Sequence, residues 1–327
     1  MPTLTTSETK SGREDAPEAQ ALDAIRTEDE ILYLIGRPTL KQYLRFVRGH
    51  ATDPPDRGAL IDEWMAAHDL VRALEKDEAG LADEPSIARI PLDPMYEPLL
   101  IEFLKDPLVR HGFNIVPTEV VFVELDRLVV YQKHIDLTHV RRLESDLGPA
   151  PTAEQVFRTC LPCDHPQPPV RWARGRRNQF VFVSPSNDLR FLGAMPLKDA
   201  HIRDYPPPGS LVGVVGLAVG FGSNFLNALY AEGRLILNNG SHRAYALRKM
   251  GVTHVPCIVQ HVSSRHQLAV VAASDVEDAP DLYMKSRRPP MLRDYFDPRL
   301  RRIIRCQRRV RQVTVRFEVD ESYVPAL

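Results

Sequence analysis

A chain of 327 residues and 37.0 kDa has room for one large domain or two modest ones. With 43% hydrophobic and 26% charged residues it is neither wholly disordered nor collagen-like, and a formal net charge of −1 excludes a molecule basic over its whole surface. The longest apolar run, Leu211 to Phe221, has 11 residues with three glycines, too few to span a bilayer. The N-terminus carries no apolar signal segment, and four cysteines argue for a reducing compartment, so a soluble cytoplasmic protein is expected.

Residues 1–20 are polar and Ser/Thr/Glu-rich and read as a disordered tail. From 21 to 115 the spacing predicts a helical module. Its apolar groups are Ile31, Leu32, Leu34 and Ile35, then Leu40, Tyr43, Leu44 and Val47, then Leu60 to Leu74, then Leu99 to Leu104. Proline clusters at 54–55, 166–169, 206–208 and 289–290 mark the breaks in regular structure. Past Pro117, Val120–Val123 and Leu128–Tyr131 are strand candidates, followed by a helix from Thr138 to Leu147 that Gly148 ends. Further strands are expected at 169–172, 180–183, 211–219, 235–237 and 255–259, which gives an α+β class with a mixed sheet.

The most informative segment runs from Gly233 to Val259. A strand at Leu235–Leu237 leads through Asn238, Asn239 and Gly240 into a helix beginning near Ser241. Ala244, Leu247 and Met250 form its inner face and Gly251 its left-handed stop. His242 and Arg243 fall in the first turn, where the helix dipole disfavours a cation by roughly 0.3–1 kcal/mol. A bound anion reverses that sign, because backbone N–H groups, the Ser241 hydroxyl and the Arg243 fork can all donate to it. The competing reading is that Ser241 only caps the helix and Arg243 pairs with a carboxylate.

Asn-Gly-Ser-His-Arg at 239–243, the alanines and Gly251 behind it, and Val255-Pro-Cys-Ile-Val259 resemble the ParB/sulfiredoxin superfamily. Val123 to Gln132 is similar to that family's first box, with Gln132 where a Gln-Pro-Arg often stands, and Gln167 to Arg171 resembles a later strand. The resemblance spans about 119–262, is specific over the last 30 residues, and implies a ParB/sulfiredoxin-like fold. It divides the chain into a nucleotide-binding domain at 116–265, with an insertion at 174–233, and a basic extension at 266–327. Sulfiredoxin chemistry needs a cysteine where Ser241 stands, and no clean helix-turn-helix follows. The resemblance therefore implies ATP or CTP with Mg²⁺, phosphates held at Asn239 to Arg243, and a phosphotransferase or nucleotide hydrolase acting on a small molecule. In it, Arg243 would neutralise the transferred group and His242 would hydrogen-bond to it. The alternative is a nucleotide-gated DNA-binding or adaptor protein of ParB type.

Secondary candidates each have an ordinary counterpart. Gly220 to Asn224 reads as a turn into a helix at 225–230, in which Ser223 and Asn224 either hold substrate or cap the helix. Asp188, in the polar turn Ser184 to Asp188 before Arg190, is a candidate base or Mg²⁺ ligand, or starts a helical turn with Asn187. Glu119, Glu124 and Asp126 are carboxylates near the first strand. Cys160, Cys163 and His165 have zinc-like spacing on one side only. Lys285 to Arg316 carries 12 basic and 2 acidic residues. It contacts nucleic acid, or is a solvated helix face whose arginines meet acids of the N-terminal module.

Overall fold

The computed structural model describes residues 28–89, 95–176, 178–198 and 212–325. The expected tail and the proline cluster at 206–208 lie outside them. In chain order the first half comprises β1 (Glu28–Leu34), α1 (Leu40–His50), α2 (Arg57–Asp77), β2 (Ile87–Arg89), α3 (Tyr96–Leu104) and α4 (Pro107–Gly112). There follow β3 (Thr118–Glu124), β4 (Val129–Val130), β5 (His134–Asp136), α5 (Leu137–Leu147) and α6 (Ala153–Cys160). Four strands come next, β6 (Arg171–Arg174), β7 (Gln179–Ser184), β8 (Leu189–Leu197) and β9 (Val214–Phe221). Then come β10 (Asn227–Ala231), β11 (Arg234–Asn239), α7 (Ser241–Lys249) and β12 (His254–His261). Short helices α8 (Arg265–Val271), α9 (Ser274–Asp278) and α10 (Pro280–Met284) precede β13 (Arg301–Gln307) and β14 (Arg311–Arg316).

The class is mixed α+β with several small sheets. The central sheet has six strands in the order β2-β3-β12-β10-β11-β4, with β10/β12 and β11/β4 parallel and the other pairs antiparallel. It is apolar on both faces. Leu235 and Leu237 join the main core with α3, α5, α6 and α7, whereas Ile236 and Leu229 face a second cluster with Leu268, Val276, Tyr283 and Met291. That double burial makes β11 a continuous hydrophobic run rather than an alternating one.

Three expected helices are strands. Ile31, Leu32, Leu34 and Ile35 belong to or adjoin β1, whose Leu32 and Leu34 enter the main core while Tyr33 and Ile35 pack under α1 and α2. A strand buried on both sides imitates helical spacing. Phe225 to Tyr230 runs into β10, its first five residues all buried between layers. The arginine-rich segment forms β13 and β14: Ile304 and Cys306 point inward while Ile303 is half exposed, the period of a strand. Asn187 and Asp188 start no helical turn, because they lie in the connection from β7 to β8. The helices α1, α2 and α5 do form. Thr39 and Gln42 make a capping box on α1, and the carboxylates of Asp56 and Asp136 accept the first free N–H groups of α2 and α5.

β1 pairs with β13 on one side and β5 on the other, so strand pairing crosses the boundaries expected at 115 and 265. No helix among the described residues is long and apolar enough to cross a membrane.

Candidate functional site

β11 delivers Asn238 and Asn239 to a turn that two amides fasten. Asn239 donates from Nδ2 to the carbonyls of Ser223 (3.0 Å) and Phe225 (3.1 Å). Asn238 donates to Val271 O and accepts from the Ala273 N–H, both at 3.0 Å. Gly240 then adopts φ 99° and ψ 22°, and a Cβ there would stand 3.2 Å from Leu226 Cα and 3.3 Å from Arg243 Nη2. The turn therefore admits glycine at little cost and a side chain only with strain. Helix α7 begins immediately, and no side chain caps it. Ser241, expected as the cap in the ordinary reading, is instead the buried first helical residue.

The pair of first-turn cations is one cation. Burial lowers the His242 pKa to about 3, and His139, His134 and Arg243 push it the same way. His242 is thus neutral at pH 7, and its buried Nε2 has no hydrogen-bond partner. The ring lies edge-on to His139, centroids 5.3 Å apart. Burial also depresses His139 and His134. The unfolded chain takes up protons that the folded one refuses, so this contribution to stability is intact above about pH 6.5 and is lost as pH falls toward 3. Urea unfolding at pH 7.5, 6 and 5 should show stability declining with acid, and His242→Gln should flatten that decline. Superposed curves from pH 7.5 to 5 would contradict it.

Arg243 does not pair with a carboxylate. Its Nη1 donates to the carbonyls of Asn224 (2.6 Å), Thr159 (3.2 Å) and Cys160 (3.3 Å), which ties α7 to the end of α6 and to the loop before β10. The guanidinium is buried, and Nη2 stays beside Gly240. Asp188 acts on it electrostatically and is itself ion-paired to Arg190. Arg190 packs over Gly222, where a Cβ would meet its Cζ at 2.7 Å. The turn residues, Ser223, Asn224, Asp188 and Arg190 therefore come together, although Gly220 to Asn224 leads into a strand rather than a helix.

The parallel pairing of Leu237 with Val130 sets Tyr131 and Gln132 alongside the turn, and the Tyr131 hydroxyl donates to Asn238 O at 2.8 Å. Both line a cavity of about 510 Å³, with Phe46, His50, Lys133 and His134 among its other walls. Phe46 stacks on Tyr33 at 4.2 Å and on His50 at 4.1 Å. Lys133 reaches Asp275 at 3.3 Å. Gln132 was legible through the first-box resemblance. Tyr131, Lys133, His134 and Asp275 were not singled out as site residues, because the parallel β4–β11 pairing that places the first three has no local sequence signal.

Other candidates fall elsewhere. Asp126 holds Arg248 through two bonds of 2.9 and 3.1 Å at the far end of α7, and Glu119 meets His261 at 2.7 Å. Glu124 pairs in register with His254 at the end of β12. Cys160 is buried with its thiol pushed up to about 12, Cys163 is half-buried, and His165 bonds Asp106 at 2.5 Å. No group of three or more His, Cys, Asp or Glu residues suited to a metal occurs among the described residues. Much of the first half of the basic stretch is neutralised internally: Arg288 by Glu78 and Asp294, Arg302 by Glu63, Arg299 by Asp297 and Lys285 by Asp281. No family model, curated protein or solved structure matches the chain.

Proposed function

We propose that the protein binds a nucleotide, ATP or CTP, with its phosphates at the Gly240–Arg243 turn, and transfers or hydrolyses a phosphoryl group beside a small-molecule acceptor. The scaffold in this reading is ParB/sulfiredoxin-like and cytoplasmic. The observation that carries it is the uncapped start of α7 behind a left-handed Gly240, with the buried Nε2 of His242 left unpartnered one residue on. Free N–H groups at a helix start favour an oxyanion, and an orphaned buried nitrogen costs about 1–3 kcal/mol until something hydrogen-bonds to it. His242 serves as a neutral hydrogen-bonding group. Arg243 contributes from Nη2, since Nη1 is engaged with carbonyls. The adjoining cavity offers stacked rings, Gln132 and Lys133 to a base and ribose.

Asp188 is the carboxylate nearest this arrangement and fits a magnesium that arrives with the nucleotide, lending one oxygen while phosphates and water fill the other positions. Bound there, the ion would supply charge neutralisation to the phosphates. Asp188 would otherwise orient the acceptor by taking its hydroxyl proton. The exposed arginines of 308–316 favour the second reading, a nucleotide-gated DNA-binding or adaptor protein.

A melting series with ATP, CTP, GTP and ADP in Mg²⁺ tests binding. A nucleotide at about a hundred times its dissociation constant stabilises by ~2.7 kcal/mol and shifts the melting point by several degrees. Gln132→Ala and Lys133→Ala should melt like wild type and respond less. A wild type that responds to no nucleotide would sink the reading.

A further inference from the structure

Segments 170–184 and 308–317 together contain eight arginines and no acidic residue. They lie more than a hundred residues apart, yet β14 and β6 flank β7 in one antiparallel sheet. Register places Trp172, Phe182 and Val313 side by side in one row, and Arg174, Phe180 and Val315 in the next. Directly opposed residues share a face, so the three aromatics and Arg174 project together, about 7 Å separating the rows along the strands. Phe317 extends the second row, stacked on Phe180 at 6.4 Å, and Trp172 stacks on Phe182 at 6.3 Å. Arg311, opposite Ser184, belongs to the same face.

This face contributes nothing to the cores: none of its hydrophobic residues joins the three buried clusters. Trp172 is 65% exposed and Phe317 41%. Arg171, Arg174, Arg176, Arg309, Arg311 and Arg316 are exposed as well, with Arg171 and Arg316 on the reverse side of the pleat. A cavity of about 490 Å³ opens at the sheet's end against Asn178, Arg316 and Phe317.

We propose that the aromatic face of the β6–β7–β14 sheet binds single-stranded nucleic acid, bases stacking on Trp172 and the Phe180–Phe317 pair while the arginines meet phosphates. Charge selects the occupant, because an acid-free patch with eight arginines in its two segments is complementary to a polyanion. The rings select single strands, whose bases have open faces, over a duplex whose bases already stack on one another. The site is separate from the Gly240 turn and needs no nucleotide there.

The test uses the full chain and fluorescence anisotropy with a labelled single strand of about twenty nucleotides and the matching duplex, from roughly 50 to 200 mM salt. The expected result is saturable binding that prefers the single strand and weakens with salt by about 0.7 log units per phosphate contact for each decade. Trp172→Ala and Phe317→Ala, both at exposed positions, should each weaken binding by roughly 5- to 100-fold with unchanged melting. In a Trp64→Phe background, the remaining Trp172 emission should be quenched on binding. The proposal is overturned by no saturable binding at the lowest salt, by equal affinity for the duplex, or by unchanged affinity in Trp172→Ala. Sedimentation showing that Trp172→Ala abolishes self-association of a protein that binds no nucleic acid would overturn it too, by assigning the face to a second copy of the chain.

Discussion

Arg243→Met is expected to destabilise the protein by about 3–5 kcal/mol, because buried carbonyls left without a donor cost roughly 1–3 kcal/mol each. Thr159 O and Asn224 O lose their printed partner outright, whereas Cys160 O keeps the Leu226 N–H at 2.8 Å. Removing a buried cation relieves its desolvation, yet the carbonyl dipoles that surround it remain oriented toward an empty place. Against a total stability of about 5–15 kcal/mol, such a loss lowers the melting point by roughly 5–15 °C. Urea denaturation of Arg243→Met and Arg243→Lys checks this, and a cost below about 1 kcal/mol in both would refute the bracing role. The consequence for function is practical. An Arg243 variant that fails to bind nucleotide says little about phosphate contacts, since α7 and the loop before β10 lose their common anchor first.

Arg288→Met should cost about as much, roughly 3–5 kcal/mol, by stranding a buried carboxylate. Arg288 is 2% exposed and holds Asp294, through both carboxylate oxygens at 2.5 Å, together with Glu78 at 3.0 and 3.1 Å. Asp294 also accepts the Met291 N–H at 2.9 Å. Glu78 is the C-cap residue of α2, so this one guanidinium clamps the N-terminal helices to the turn ahead of β13. Arg288→Met combined with Asp294→Asn should be milder than the sum of the two single changes, with a coupling of about 1–3 kcal/mol in a double-mutant cycle. Strict additivity would show that the two side chains do not act as a unit.

These two arginines also mark what the sequence could and could not reveal. The strand–turn–helix from Leu235 to Gly251 was legible because Gly240, the alanines and Gly251 each have a local conformational reason to stand where they do. The inward direction of Arg243 was not, since its acceptors come from the end of α6 some eighty residues earlier. Helices α1, α2 and α5 announce themselves through capping residues and one apolar stripe. β1 and the segment entering β10 are buried on two sides, and periodicity cannot separate such runs from helix. The basic stretch looked uniform in sequence. Pairing divides it: 285–302 meets Glu63, Glu78 and nearby aspartates, while 308–316 becomes an outer strand beside aromatics from 172–182. Judged alone, that outer strand lacks rings for base stacking, and only the fold supplies them.

Hydrogen exchange at the backbone amides of Ser241, His242 and Arg243 probes phosphate capture most directly, because these are the N–H groups that a bound oxyanion must engage. In peptides covering 238–247, ATP or CTP with Mg²⁺ should slow exchange at those amides, while inorganic phosphate at equal concentration slows it less. Unchanged exchange at all three amides under saturating nucleotide would contradict the account, even if the nucleotide bound elsewhere on the molecule.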